Sequence, residues 1–386
     1  MGAVRTIPVA ERRARLAVRH ALTAPASGVA AATSAVVALH ATDPATVYLS
    51  AGARIADPGL ERIERELYDG SLVRLHGMRR TVFVVPAELA PVVHFSTSAA
   101  IAVRERKQLV KHMTEGGLDW SAEALADVEA SVLRLVAERG EVSVNELTAA
   151  EPRLREQMRF AIGKPYETSQ AIGSRLIALL GMEGRIVRRG RTAGTWISQQ
   201  HNWSAGLPLL ELDVRAAQAE LVRHWLAAFG PGTEADVKWW TGWSLGDTRR
   251  ALAAVGAVEV DSGFVLPDDL EPVAAPGPWA AFLPALDPTP MGWQQRDFYL
   301  APEHRPALFD RSGNIGPTVW WEGRIVGGWA TRADGEIVWE LLDDVGSEAV
   351  AMIEAEAAGL AAWLGGAKVT PRFRTPLERK LSHVDR

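Results

Sequence analysis

The sequence predicts an α+β protein: tandem winged-helix (helix-turn-helix) units, then a C-terminal β-rich element with a final helix. Three observations carry that prediction. Short amphipathic helices followed by a hairpin recur three times, a Pro-rich stretch at 266–279 breaks the pattern, and strand-like segments with tight turns lie beyond it. These shifts divide the chain into a first unit at 1–95, a second at 96–205, a third at 206–270 and a β-rich element at 271–386.

In the first unit, residues 9–23 read as a charged amphipathic helix with Arg12, Arg13, Arg15 and Arg19 on its wetter side. A second helix runs over 30–39 and is interrupted at Thr42-Asp43-Pro44. Proline suits the first turn of a following helix, with Asp43 or Thr42 as its cap. That helix continues through Val47, Tyr48, Leu49 and Ala51 to Arg54, another covers 59–68, and 72–85 reads as a hairpin. In the second unit, Leu125, Val128, Val132, Leu135 and Val136 share one face of a helix at 121–138. A short strand then enters a helix capped by Ser143, a third helix spans 168–180, and 182–191 forms a basic wing. The third unit places Val214, Ala217, Leu221 and Trp225 on one face, opens its next helix at Thr233, and closes with a hairpin at 258–266. Past the break, 292–300, 309–321, 324–331 and 336–342 read as strands and 347–364 as the final helix.

Composition narrows the function classes. The chain has 386 residues, a formal net charge of −5, 42 basic residues of which all but six are Arg, and no Cys. Disulfide and thiolate chemistry are therefore excluded. The charged start lacks the apolar core of a signal peptide, and the apolar stretch at 28–40 is too short to span a bilayer. A cytoplasmic protein without membrane association is expected. No Walker loop or Gly-x-Gly-x-x-Gly turn occurs, and the nine His lack metal-ligand spacing, so neither a cofactor nor a metal is expected.

The segment with most chemical interest is Leu39-His40-Ala41-Thr42-Asp43-Pro44. It sets an imidazole, a hydroxyl and a carboxylate at a break between helices. There a carboxylate can stabilise a developing sugar cation and an imidazole can orient or deprotonate water. The alternative is structural: Asp43 caps a helix and His40 bonds nearby backbone. Arg79 and Arg80 in the first hairpin, with Arg185, Arg188, Arg189 and Arg191 in the second, are candidate phosphate contacts or else a solvated surface. Most of the 14 Trp are expected in the core.

Several stretches resemble a known family. They are Phe229-Gly230-Pro231-Gly232-Thr233-Glu234-Ala235-Asp236, Trp239-Trp240-Thr241-Gly242-Trp243, Leu283-Pro284-Ala285-Leu286-Asp287-Pro288 and Met291-Gly292-Trp293. Arg296-Asp297, Gly313-Asn314-Ile315-Gly316-Pro317-Thr318-Val319, Gly323-Arg324-Ile325-Val326-Gly327-Gly328-Trp329 and Arg372-Phe373 continue the pattern. Together they look like the winged-helix DNA glycosylases of the AlkZ/YcaQ type, from the first helix to about Pro376. The resemblance implies a concave molecule of three winged helices and a β-rich element. It implies monofunctional excision of N7-alkylated purines, crosslinked ones included, from double-stranded DNA by a monomer. Family enzymes carry Gln-x-Gln or Gln-x-Asp after the second helix; this chain has His40-Ala41-Thr42, followed directly by Asp43. The expected roles are Asp43 as cation stabiliser or base, His40 as the group positioning water, and Thr42 as a supporting hydrogen bond. The alternative is a DNA-binding or regulatory protein without catalysis.

Overall fold

The computed structural model of the protein describes residues 5–191, 195–198 and 200–383, without the side chain of Arg191. The architecture is mixed helix and sheet. The first segment contains α1 (Val9–Arg19), α2 (Val29–Ala35), β1 (Leu39–His40), α3 (Pro44–Gly52), α4 (Leu60–Tyr68) and the hairpin β2 (Leu72–His76) and β3 (Val82–Pro86). The arginines of α1 are not on a wet face. Arg15 is 1% exposed and pairs with Glu11 and Asp269, while Arg13 donates to the Phe298 carbonyl and Arg19 to that of Gly230. Charged residues at helical spacing look solvated in sequence. Here carboxylates and carbonyls some 200 residues or more away make that face an internal joint.

A helical run follows: α5 (Ala90–Val93), a π turn at His94–Ser98 and α6 (Ala99–Glu115). The expected boundary after residue 95 falls inside it. Next come α7 (Ala122–Arg139), β4 (Glu141–Ser143), α8 (Val144–Ala150), the hairpin β5 (Gln157–Phe160) and β6 (Thr168–Ala171), α9 (Ile172–Met182), β7 (Ile186–Arg191) and β8 (His201–Ala205). Ser143 begins α8 with a capping box, its hydroxyl accepting from Glu146 N and the Glu146 carboxylate accepting from Ser143 N. The third segment holds α10 (Val214–Phe229), α11 (Glu234–Thr241), α12 (Leu245–Ala254), β9 (Val258–Val260) and β10 (Gly263–Val265), with caps at Asp213, Thr233 and Ser244.

The last segment holds β11 (Ala280–Leu283), α13 (Arg305–Leu308), β12 (Thr318–Trp321), β13 (Arg324–Thr331), β14 (Ile337–Leu341), α14 (Gly346–Leu364) and α15 (Pro376–Ser382). The strands at 324–331 and 336–342 form as expected, but 292–300 does not form a strand. The amides of Gln294 and Gln295 instead donate to Asp236 Oδ1 at 2.8 and 2.9 Å, and Trp293 packs edge-on against Phe229. A buried cap residue thus holds backbone that a sheet ladder would otherwise hold. Of 309–321, only the last four residues are strand.

The sheets are antiparallel. A six-stranded sheet runs β1-β3-β2-β7-β8-β4, and a four-stranded one runs β11-β12-β13-β14. Strands β2 and β7 join the first two segments through the register pair Arg74 and Arg188. One core combines the first, third and last segments, whereas a second core gathers Val128, Val132, Leu147, Leu176, Leu180 and Trp203. The helical run bridges them: α5 packs on α10 and α6 on α9.

Candidate active site

The loop between β1 and α3 lies where the first two segments face each other. Asp43 is the N-cap of α3, and Pro44 fills its first position, where no amide is needed. The carboxylate is 7% exposed. Its Oδ1 accepts from Ala45 N at 3.2 Å and its Oδ2 from Arg372 N at 2.9 Å. Burial raises the Asp43 pKa above the ordinary carboxylate value, and the two amide bonds offset part of that rise. The side chain sits in a small crevice with Pro284, Pro317, Trp329 and Pro371.

His40 turns its imidazole into the core, edge-on to Phe83 at 5.1 Å between centroids. Burial, with Arg79 nearby, lowers its pKa to about 3, so the ring is neutral at physiological pH. The sequence placed it toward a ligand; the structure does not place it on the cavity wall. Thr42 is on that wall, and its hydroxyl is buried without a hydrogen-bond partner among the described residues.

The cavity has a volume of about 440 Å³. Thr42 and Pro44 contribute from the loop, Asn145 from α8, Ile177 from α9, Arg188 from β7, and Arg372 from the C-terminal segment. The six wing arginines separate by environment. Arg188 faces this cavity with its guanidinium 5.2 Å from the centroid of Trp203, and burial followed by Arg74 and Arg372 lowers its pKa to about 10. Arg189, one residue on, points to the other face of the strand and is half-buried beside Tyr68. Arg185 is held at 2.6 Å by Glu129, which also binds Arg106. Arg185 remains exposed, but a phosphate would have to compete there with carboxylates that already hold its guanidinium. Arg79 is not on a free wing surface either: it stacks on Trp239 at 4.1 Å in left-handed backbone. Arg80 is exposed and pairs with Glu105 at 2.6 Å. The side chain of Arg191 lies outside the described residues, although its backbone closes β7.

Sequence reasoning missed Arg372 as a binder of the loop and Arg74 as the neighbour of Arg188. Only the Arg372-Phe373 pair carried a signal. Gly242-Trp243-Ser244-Leu245-Gly246 has the spacing of a hydrolase nucleophile elbow, but Ser244 caps α12 and bonds Asp247. No cluster of His, Asp and Glu suited to a metal ion occurs among the described residues, and no helix there is long and apolar enough to cross a membrane.

The fold is that of an α+β protein with a cavity whose charged lining is cationic among the described residues. A family model described as DNA glycosylase AlkZ-like matches residues 33–363, and the chain belongs to that family of N-glycosyl hydrolases. It is 27% identical over 347 residues to the interstrand DNA cross-link repair glycosylase of Streptomyces sahachiroi, covering 84% of this chain and 88% of that protein. The solved structure of the Streptomyces sahachiroi DNA glycosylase AlkZ superposes with a TM-score of 0.72 at 20% identity, over 95% of this chain and all of that one.

Proposed function

We propose that the chain excises alkylated purines, N7-alkyl adducts among them, from duplex DNA in the repair of alkylation or crosslink damage. Its three helix-and-hairpin segments act as winged helices, with divisions at 1–95, 96–205, 206–270 and 271–386, and the monomer acts in the cytoplasm. The observation that supports this reading is the cavity itself. It is large enough for an extruded purine nucleotide, free of carboxylates among its described lining residues, and has Thr42 on its wall, with the unpartnered hydroxyl just behind the surface.

An N7-alkylated purine is already cationic and leaves without a strong general acid. The protein has to position water and stabilise charge at the sugar. Thr42 supplies the hydrogen bond at the wall. Asp43 is a positioning residue: both oxygens hold backbone amides, which fixes the loop from behind and keeps a negative charge behind the wall. His40 anchors the loop as a neutral core residue. Duplex carrying 7-methylguanine should release the free base under single-turnover conditions. Thr42→Val, which keeps the shape and removes the hydroxyl, should slow release by about tenfold or more, the size of one lost hydrogen bond to a charged state. Retained DNA binding with no base released by the unmutated protein would remove 7-methylguanine as a substrate. Unchanged release by Thr42→Val would remove Thr42 from the reaction.

A further inference from the structure

We infer that the cavity contains a phosphate subsite centred on Arg188, which receives a backbone phosphate of the nucleotide whose base is released. The inference rests on the glycosylase reading above and adds the group that grips the substrate backbone. Arg188 is half-buried, and its guanidinium has no hydrogen bond or ion pair among the described residues; it has the Trp203 ring on one side and the cavity on the other. The two most deeply buried arginines are paired with carboxylates. Arg54 meets Asp287 at 2.7 Å and Arg15 meets Asp269 at 2.8 Å. Even partial burial of a guanidinium without a counter-charge is unfavourable, so an unpaired one on a cavity wall beside other cations marks a position that an anionic ligand completes.

The neighbours give that ligand its sign. Arg74 stands opposite Arg188 in the β2–β7 register and is itself 6% exposed, bonded to the His201 ring. Like charges directly opposite across strands destabilise a sheet. Arg372 adds a third guanidinium at the same cavity, and no Asp or Glu lines it among the described residues. An anion accepting from Arg188 offsets this repulsion, and guanidinium geometry matches phosphate oxygens. The volume far exceeds that of a free phosphate and admits one carrying a sugar and a purine, so the DNA backbone is the source the observations favour. The phosphate survives base release, so the same contact holds the abasic product.

The test uses the full chain and duplex containing a tetrahydrofuran abasic analogue. Methylphosphonate replaces single phosphates, one at a time, within two nucleotides of the analogue. One such neutralised phosphate should weaken binding by the unmutated protein by about tenfold, as loss of a charged hydrogen bond does. Arg188→Gln should lose the same factor on unmodified backbone and nothing further at that position, while Arg188→Lys retains part of it. Additive losses at every position, or Arg188→Gln binding like the unmutated protein, overturn the proposal. Melting temperature with inorganic pyrophosphate separates the two readings. If the unmutated protein shows no preference for the abasic duplex, the glycosylase reading fails. Stabilisation by pyrophosphate that Arg188→Gln abolishes would then assign the site to a free phosphate compound, overturning the DNA assignment. If Arg188→Gln unfolds, the Arg188→Lys and methylphosphonate combination decides alone.

Discussion

At Asp43 one carboxylate serves two backbone amides, and that division of labour limits what can replace it. Asn matches Asp as a helix cap but carries only one acceptor, so Asp43→Asn must set an NH2 group against either Ala45 N or Arg372 N. The expected cost is about 1–3 kcal/mol in urea denaturation, with excision reduced through the displaced Thr42. An Asp43→Asn protein of unchanged stability would show that the Arg372 bond contributes nothing. The pH dependence of stability has its sign set mainly by His20, His40 and His76, the last lowered to about 4 by burial and then by Arg188. His20 and His40 are depressed to about 3 by burial first, with nearby arginine next, so the unfolded chain takes up protons below about pH 6.5 that the folded chain refuses. Stability is full above that value and falls as the pH drops toward 3, by about 2 kcal/mol for each ring at pH 5. Asp43 acts oppositely. Between the ordinary carboxylate pKa and its raised value it holds a proton that the unfolded chain has lost, so acid relieves its burial cost there. His40→Leu should remove about a third of the acid sensitivity between pH 7 and 5, measured by urea melts.

Among the elements, α11 depends most on a single side chain. Asp236 is fully buried and accepts from Thr233 N, Thr233 Oγ1, Gln294 N and Gln295 N, joining a helix cap to the turn that replaces the expected strand. Thr233→Ala should cost about 1 kcal/mol, as a lost cap does, and Asp236→Ala about 3 kcal/mol or more because four donors lose their acceptor. Equal costs from urea melts would show that the turn at 292–300 does not depend on Asp236. Caps of this kind were legible in the sequence because they are local: Thr233, Ser143 and Asp43 each stand within three residues of a partner. The polar break at 40–43 was legible for the same reason. The direction of its side chains was not, since Arg372 lies 329 residues from Asp43 and His40 turns toward a strand 43 positions away. The arginines of α1 read as wet because nothing nearby reveals Asp269. The aromatic run at 292–300 read as strand because buried turns and buried strands share the same apolar composition.

At the scale of the molecule, three of the four expected parts share one core while 96–205 builds most of a second. Local stability should follow that division. Amides of α7, α8 and α9 are expected to exchange in concert and earlier than those of α3, α10 and β12, read by hydrogen exchange under native conditions. Uniform protection across both groups would mean that the two cores unfold as one. The recurrence of helix and hairpin was readable from periodicity, but the sharing of a core was not, because it depends on contacts such as that of α5 with α10.

The π turn at His94–Ser98 stands where the helical run passes from one of these bodies to the other. A π turn widens the helix by one residue per hydrogen-bonded ring and so loosens its backbone register at that point. The turn is also a rivet: the Ser98 hydroxyl donates to the His76 carbonyl at the end of β2, the strand that pairs with β7, so the walls carrying Thr42 and Arg188 are fastened to each other twice, once by helix and once by sheet.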